Sequence, residues 1–324
     1  MDLKQLNAFV TIATLQSFSA AASCSGLSQP SLSRLLKQLE LELGVTLIDR
    51  YHRPLQLTDA GQFFYDKVRV LLTELDTITS MTQRLVMPRS ALNIGFVPSV
   101  LYGLLPDIIA TMKRQDPTIE VNLKDISSYQ QIEALKRGDI DIGFSRFAQC
   151  DGWIQQILLR HERYMVALPK AHPLARTPNQ RLLNLVNNRL ILYHQTHLPG
   201  HIIHDSMSSI TDKKALISGI ETEPLLNLFA QHGITPLTTT KVSDLQVALG
   251  LVAAGEGITL VPASLQTVRT EQISYQSLLD DNVTSPIYLH TLKDVVHPRV
   301  ADLLAATYQV YDKRGITYQR QRFV

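Results

Sequence analysis

Between residues 29 and 37 the chain sets an amide, a guanidinium and an ammonium among hydroxyls: Gln29, Pro30, Ser31, Ser33, Arg34 and Lys37. These are the groups that read base edges in DNA. Arginine donates two parallel hydrogen bonds to guanine, and glutamine pairs with adenine. At about 100° per residue, Pro30, Arg34 and Lys37 project from one face of a helix, and Leu32, Leu35, Leu36 and Leu39 share the other. Gln29, Ser31 and Ser33 flank its N-terminal end, while Leu41 departs from the pattern by falling on the polar side. Arg50, His52 and Arg53 follow near the tip of a short hairpin over 46–57, with Pro54 ending the turn. A basic wing of this kind touches phosphate or the minor groove. By itself it is equally a solvated basic loop; beside such a helix, DNA contact is the reading we adopt.

The elements that position these groups follow from the surrounding sequence. Leu3, Leu6, Phe9, Val10 and Ala13 give a buried stripe on a helix from Leu3 to Leu15. Ser17 or Ser19 caps a second helix through Ala20–Ala22, where small side chains allow close packing. Gly26 permits a sharp turn, and Ser28 caps the third helix with Pro30 in its first turn. Thr58 then caps a long helix reaching Val86. Phe64, Val68, Leu71, Leu75, Ile78, Thr82 and Leu85 fall on a 4-3 repeat along it, the spacing of a dimer seam. The competing reading is a helix packed on its own domain. Met87-Pro88-Arg89-Ser90 reads as a hinge.

From Ala91 strands and helices alternate. Strands are predicted over Leu92–Val97, Ile119–Lys124, Ile140–Phe144, Tyr164–Leu168, Leu190–Tyr193, Ile258–Val261 and Pro286–Leu292. Helices are predicted over Leu101–Gln115, Ser128–Arg137 and Val242–Ala254. The alternation implies doubly wound parallel sheets with ligands at the carboxyl ends of strands. Ser99, and Ser127 with Ser128, stand at two strand-to-helix turns. Each offers a hydroxyl and free backbone N–H groups at the positive end of a helix, a way to hold a carboxylate. Each is equally an ordinary helix cap. Pro199-Gly200-His201-Ile202 opens a further predicted helix, whose N-terminus suits the far end of a dicarboxylate.

Composition sets the outer bounds. The 324 residues are 45% hydrophobic and 19% charged, which describes a globular chain with two or three cores. The net charge is only +2, and the lysines and arginines of the first 88 residues are matched one for one by aspartates and glutamates. Any basic footprint must therefore be local. Met1–Leu6 lacks the cationic head of a signal peptide, and no apolar run approaches the ~18 residues that span a bilayer. Cys24 and Cys150 lie far apart and read as free thiols. We expect a cytoplasmic protein without membrane contact. His194, His197, His201 and His204 recur at near-helical spacing, but Pro199-Gly200 interrupts any such helix, so no metal is expected. Gly255-Glu256-Gly257 precedes a strand and lacks the third glycine of a dinucleotide turn. Nothing pairs a nucleophile with a base, so the chain reads as a non-enzyme without cofactor.

Several spaced motifs, in order, resemble the LysR-type transcriptional regulators. They are Ala20-Ala21, Gln29-Pro30-Ser31-Leu32-Ser33-Arg34, the Leu43-Gly44-Val45 turn and the Thr58-Asp59-Ala60-Gly61 helix start. The strings Ser99–Pro106, Leu159–Arg163 and Val247–Ile258 are similar to the muconate- and benzoate-responsive regulators of aromatic catabolism. The resemblance implies an α+β multidomain fold. A winged helix-turn-helix covers 1–58, a linker helix and hinge 59–90, an effector-binding domain 91–305, and a C-terminal tail or helix 306–324. The effector domain is α/β and periplasmic-binding-protein-like, with Rossmann-like subdomains I (91–162 and 267–305) and II (163–266). It implies a cis,cis-muconate or benzoate-like carboxylate in the cleft between subdomains, held by Ser99 and Ser128 and, at the far end, by Pro199, Gly200, His201 and Ile202. The relatives carry Asn and Phe where this chain has Gly200 and His201, which puts muconate itself in doubt. Arg146, Arg160 and Glu162 match a secondary aromatic-acid site of the benzoate-responsive relatives, and read equally as a structural ion pair. Double-stranded DNA, RNA polymerase and further copies of the chain, as a dimer of dimers, are the implied partners. The competing readings are a regulator answering an unrelated small anion, and a two-lobed solute-binding protein without a regulatory role.

Overall fold

Asp2 starts the first helix by a reciprocal pair of bonds: its carboxylate accepts from the Gln5 backbone N–H, and the Gln5 side chain accepts from the Asp2 N–H. Our computed structural model describes residues 1–86, 91–149, 151–193, 224–280 and 284–321. They fall into two units divided after Val86.

The first unit runs α1 (Leu3–Leu15), α2 (Phe18–Ser25), α3 (Gln29–Leu43), β1 (Ile48–Asp49), β2 (Gln56–Leu57) and α4 (Asp59–Val86). Ser17, rather than Ser19, caps α2, and Gly26 closes it at a φ of 68°, a left-handed conformation that favours glycine. Ser28 caps α3, with Pro30 in its first turn. The core gathers Leu6, Phe9 and Ile12 of α1, Leu32, Leu36 and Leu39 of α3, and Leu47 and Ile48 of the wing. The buried arc of α1 is rotated from the expected stripe: Gln5 and Ala8 are buried, Leu3 is exposed, and Val10 and Ala13 are half-buried. α1 touches α2, α3 and α4, so three neighbours, and not one apolar face, decide which side is covered.

The two readings of α4 divide along its length. Val68 is buried and the Phe64 ring packs tilted against Phe9 with centroids 5.5 Å apart, so this end packs on its own unit. Leu71, Leu75, Ile78 and Leu85 remain 51%, 36%, 46% and 67% exposed, an apolar row that a second helix would cover.

The second unit begins β3 (Ala91–Phe96), α5 (Pro98–Leu101), α6 (Leu105–Gln115), β4 (Glu120–Asp125), α7 (Ser128–Arg137) and β5 (Ile142–Ser145). The helix predicted over Leu101–Gln115 is thus two. Pro106 lacks the N–H that a helix interior needs, and the chain restarts with it in the first turn of α6. After β6 (Ile154–Pro169) come β7 (Arg189–Tyr193), α8 (Pro224–Gln231), β8 (Thr238–Val242) and α9 (Leu245–Ala253). β9 (Thr259–Pro262), β10 (Ile273–Ser277), β11 (Thr284–Leu292) and α10 (Val300–Arg314) complete the unit.

The sheet is mixed, which corrects the expectation of purely parallel sheets. β3 pairs in parallel with β4 and β5, but β11 is antiparallel to β5 and to β6. The 16-residue β6 joins two lobes: residues 154–163 pair with β11, and residues 164–169 with β9 and β10. One core lies under β3, β5, β11, α6 and α10, and the others against the second half of β6, β7, α8 and α9. Two expected boundaries shift. β10 still pairs with the second lobe where a return to the first was expected from 267. α10 crosses position 305 and buries Leu303, Leu304, Tyr308 and Tyr311, so it is core and not tail.

His290 lies on β11 with its ring fully buried, and neither ring nitrogen has a hydrogen-bond partner among the described residues. Burial lowers its pKa from 6.5 to about 4. The unfolded chain therefore takes up this proton first, and stability falls as pH drops from 6.5 towards 4. Relative to His290→Gln, the wild-type chain is expected to lose about 3 kcal/mol between pH 7 and pH 4, measured by urea unfolding of both proteins.

Candidate functional site

α3 buries Leu32, Leu36 and Leu39 completely and leaves Gln29, Pro30, Ser31, Arg34 and Lys37 exposed, with Ser33 half-buried. Arg34 and Lys37 form no ion pair among the described residues, so both guanidinium and ammonium are available to an incoming polyanion. The wing is fixed to this helix. Glu40 accepts from the Leu47 and Ile48 N–H groups with one carboxylate oxygen (2.9 and 3.3 Å) and from the Arg50 guanidinium with the other (2.9 Å). That guanidinium also lies over the Phe18 ring, 5.8 Å from its centroid. Arg50, expected at a phosphate, is thus first a brace between the wing, α2 and α3. Asp49 turns the tip by accepting from the Tyr51 N–H and pairing with His52, and the first of these holds its carboxyl below the usual range. Arg53 and the 99% exposed Tyr51 are left facing outward. Tyr51 was missed because the wing was read for positive charge alone.

Thr58 sets the wing against α4. Its hydroxyl donates to Thr46 O (2.7 Å) and accepts from Gly61 N (3.0 Å). A Cβ on Gly61 would lie 1.9 Å from Leu47 O, so only glycine lets the two meet.

The second unit holds a cleft between its lobes, with a cavity of about 370 Å³, within the size range of small-molecule sites. The first lobe lines it with Ser99, Ser127, Ser128, Tyr129, Arg146 and Phe147, and the second with Tyr164, Tyr193, Leu225, Asn227, Leu228 and Gln231. Ser99 and Ser128 do meet here, but neither is a helix cap: Val97 and Ser127 occupy those positions. Both serines instead serve Arg146. The Ser99 hydroxyl accepts from Arg146 Nε (3.1 Å), its carbonyl from a terminal nitrogen (3.3 Å), and the Ser128 hydroxyl from the Arg146 N–H (3.5 Å). Gln131 pins the start of α7 by donating to Ile126 O and Phe144 O (3.1 and 2.9 Å).

Arg146 is only 9% exposed and pairs with the buried Glu162 at 2.8 Å, while donating to Ser285 at 3.2 Å. The other Glu162 oxygen accepts from Ser264 N (2.6 Å) and lies 3.8 Å from Arg160. Arg160 stands over the Tyr311 ring at 5.6 Å. Arg146, Arg160 and Glu162 are therefore one ion cluster, and the space beside it is about 10 Å³. Two guanidiniums face one carboxylate. Desolvation raises the pKa of the neighbouring Tyr164 phenol, so it supplies no negative charge. Of this cluster only Arg146 lines the main cleft, and it is the one charged side chain among the described residues there. Arg146, predicted only for a secondary site, lines the main one. Tyr164, Tyr193, Asn227, Gln231 and Ser285 had no signal in the sequence, since long-range pairing of β6 with β9, β10 and β11 brings them together.

Pro199, Gly200, His201 and Ile202, the histidines at 194, 197 and 204, the hinge at 87–90 and Cys150 lie outside the described residues. Among the described residues no group of histidine, cysteine, aspartate or glutamate could hold a metal, and no helix is long and apolar enough to cross a membrane.

Residues 3–62 match the bacterial regulatory helix-turn-helix protein, lysR family, and residues 87–211 and 217–310 match the LysR substrate binding domain. The transcriptional regulator BenM of Acinetobacter baylyi is 37% identical over 98% of both chains, and CatR of Pseudomonas putida is 40% identical over 93% of this chain and 96% of CatR. Full-length BenM superposes with a TM-score of 0.59 at 36% identity, covering 99% of this chain and 100% of that one. The BenM effector binding domain with its effector benzoate gives 0.60 at 33% identity over 72% of this chain and 98% of that one.

Removing the one carboxylate of the cluster leaves two buried guanidiniums unpaired. Glu162→Gln should cost about 3 kcal/mol of stability, and added benzoate should restore more of the lost melting temperature in the variant than it adds to the wild type; a thermal-shift titration measures both.

Proposed function

Because the chain belongs to the lysR family of bacterial regulatory helix-turn-helix proteins, we propose that it is a transcriptional regulator gated by a small aromatic or muconate-like carboxylate, bound between the two lobes of its second unit. The observation that carries the effector class is Arg146, the one charged side chain among the described residues lining the cleft, with Ser99 and Ser128 beside it. A buried guanidinium keeps part of its desolvation cost even when paired, and a ligand carboxylate reaching it from the cleft adds a charge-assisted partner. The BenM domain has benzoate as its effector, and this chain is read as answering a related acid and controlling genes of aromatic-compound degradation.

DNA is gripped by Gln29, Pro30, Ser31, Ser33, Arg34 and Lys37 in the major groove. Arg53 and Tyr51 reach from the wing, with Arg50 bracing it. The exposed row on α4 joins two chains, and two such dimers associate, in the cytoplasm, at a promoter where RNA polymerase is recruited. Ligand and DNA are coupled by lobe closure. β6 passes from one lobe to the other between Arg163 and Tyr164, so a ligand touching both walls biases the angle at that crossing. A differential affinity of a few kcal/mol between two arrangements suffices to shift the population.

The competing solute-binding reading leaves the exposed edge of α3 without a purpose. A gel shift with DNA upstream of the chain's own gene separates the two: retardation should weaken steeply with salt. Arg34→Ala should lose specific retardation by roughly tenfold or more with effector affinity unchanged; a variant that footprints normally refutes the assigned recognition edge. For the cleft, benzoate or cis,cis-muconate at 100 times Kd should stabilise the chain by about 2.7 kcal/mol. Ser99→Ala should blunt that response and spare basal DNA binding. No stabilisation by any carboxylate would remove the effector class.

A further inference from the structure

The two walls of the cleft differ in chemistry. The first lobe presents charge and hydroxyls, through Arg146, Ser99 and Ser128. Among the described residues the second lobe presents no charged group to the cavity, and four polar side chains: Tyr164, Tyr193, Asn227 and Gln231. The two phenols are committed. Tyr193 donates to Leu260 O at 3.1 Å, and Tyr164 is hydrogen-bonded to Ser285. The two carboxamides are not: neither side chain makes a hydrogen bond among the described residues. α8 holds them in place, because Leu225, Leu228 and Phe229 are buried in the second lobe's core. Asn227 and Gln231 stand one turn apart, so both fall on one helix face, and both line the cavity with Leu228.

We infer that Asn227 and Gln231 set the specificity of the cleft by hydrogen-bonding an oxygen substituent at the end of the ligand remote from Arg146. The inference rests on the carboxylate reading above, which fixes the near end at Arg146, Ser99 and Ser128. A carboxamide accepts from a hydroxyl and donates to a carboxylate oxygen, so either group satisfies it. An acid with a bare distal ring edge strips water from the two amides and returns no hydrogen bond. A site built around such a bond discriminates against the analogue that lacks it. The preferred ligand is therefore a carboxylate with a second oxygen function across the ring or chain.

Calorimetric titration of the full chain with benzoate, 4-hydroxybenzoate and cis,cis-muconate tests this. The expected result is that at least one of the two dioxygenated acids binds roughly tenfold tighter than benzoate. Asn227→Leu, close to isosteric, should bring that ratio towards one, because the dioxygenated acid loses its hydrogen bond and benzoate no longer desolvates an unanswered amide. Gln231→Met, at an exposed position, repeats the test should Asn227→Leu fail to fold, as judged by circular dichroism. A wild-type ratio near one, or a ratio unmoved in both variants, overturns the assignment while leaving a carboxylate site intact. Failure of all three acids to bind the wild-type chain overturns the carboxylate reading itself, and this inference with it.

Discussion

Arg146 and Glu162 are buried where the two lobes meet, and the rest of the second unit is arranged around satisfying them. Each ion in such a place costs several kcal/mol of lost hydration, recovered only when geometry and accessory hydrogen bonds are good. The accessory partners come from widely separated stretches of chain. Ser99 and Ser128 bind Arg146 from two strand-to-helix turns, Ser285 from β11, and Ser264 binds Glu162 from the second lobe. Losing the Ser99, Ser285 or Ser264 contact leaves a charge under-solvated in a medium that punishes it, while Ser128 holds the Arg146 backbone N–H. The same network therefore ties the two lobes together, through Ser264 N on Glu162, and presents Arg146 to the cleft.

The first unit depends on a comparable economy of partners. Glu40 ties α3 to the entry of β1 and to Arg50, and through Arg50 to the Phe18 ring on α2. Thr58 and Gly61 then seat the start of α4 on Leu47. These contacts use up the polar groups that face inward and leave Gln29, Arg34, Lys37 and Arg53 with nothing to do in the monomer. A polar face without internal partners, on a helix whose other face is fully buried, is a surface made for an external one.

Helix periodicity carried far in this chain. α1, α7 and the caps of α2 and α3 stand where their apolar spacing, serines and glycines put them, because these signals are local and act within one turn. Strand readings were weaker. Tyr164–Leu168 was legible, yet it is the end of a strand beginning at Ile154, whose first half runs from two glutamines through Ile157–Leu159 to the polar Arg160–Arg163 without the period-two alternation that marks a strand. β8 and β10 were missed for the same reason: Thr238–Val242 and Ile273–Ser277 are largely polar, and their strand character comes from β7 and β6 alongside them.

What the sequence by itself determined was the regulator's outline: the exposed polar edge of α3, the wing, the apolar row of α4, and serines at the turns after two strands. Each is written in neighbouring residues, and turn chemistry and helical period act over a few positions. Tertiary structure alone decided that Ser99 and Ser128 bind Arg146 instead of capping helices, that Arg50 braces the wing, and that Arg146 belongs to the main cleft. It also set Asn227 and Gln231 across from them. Those outcomes depend on which distant group each side chain meets; in the second unit the pairing of β6 with strands a hundred residues later brings the partners together, and the cost of burying an unpaired charge selects them.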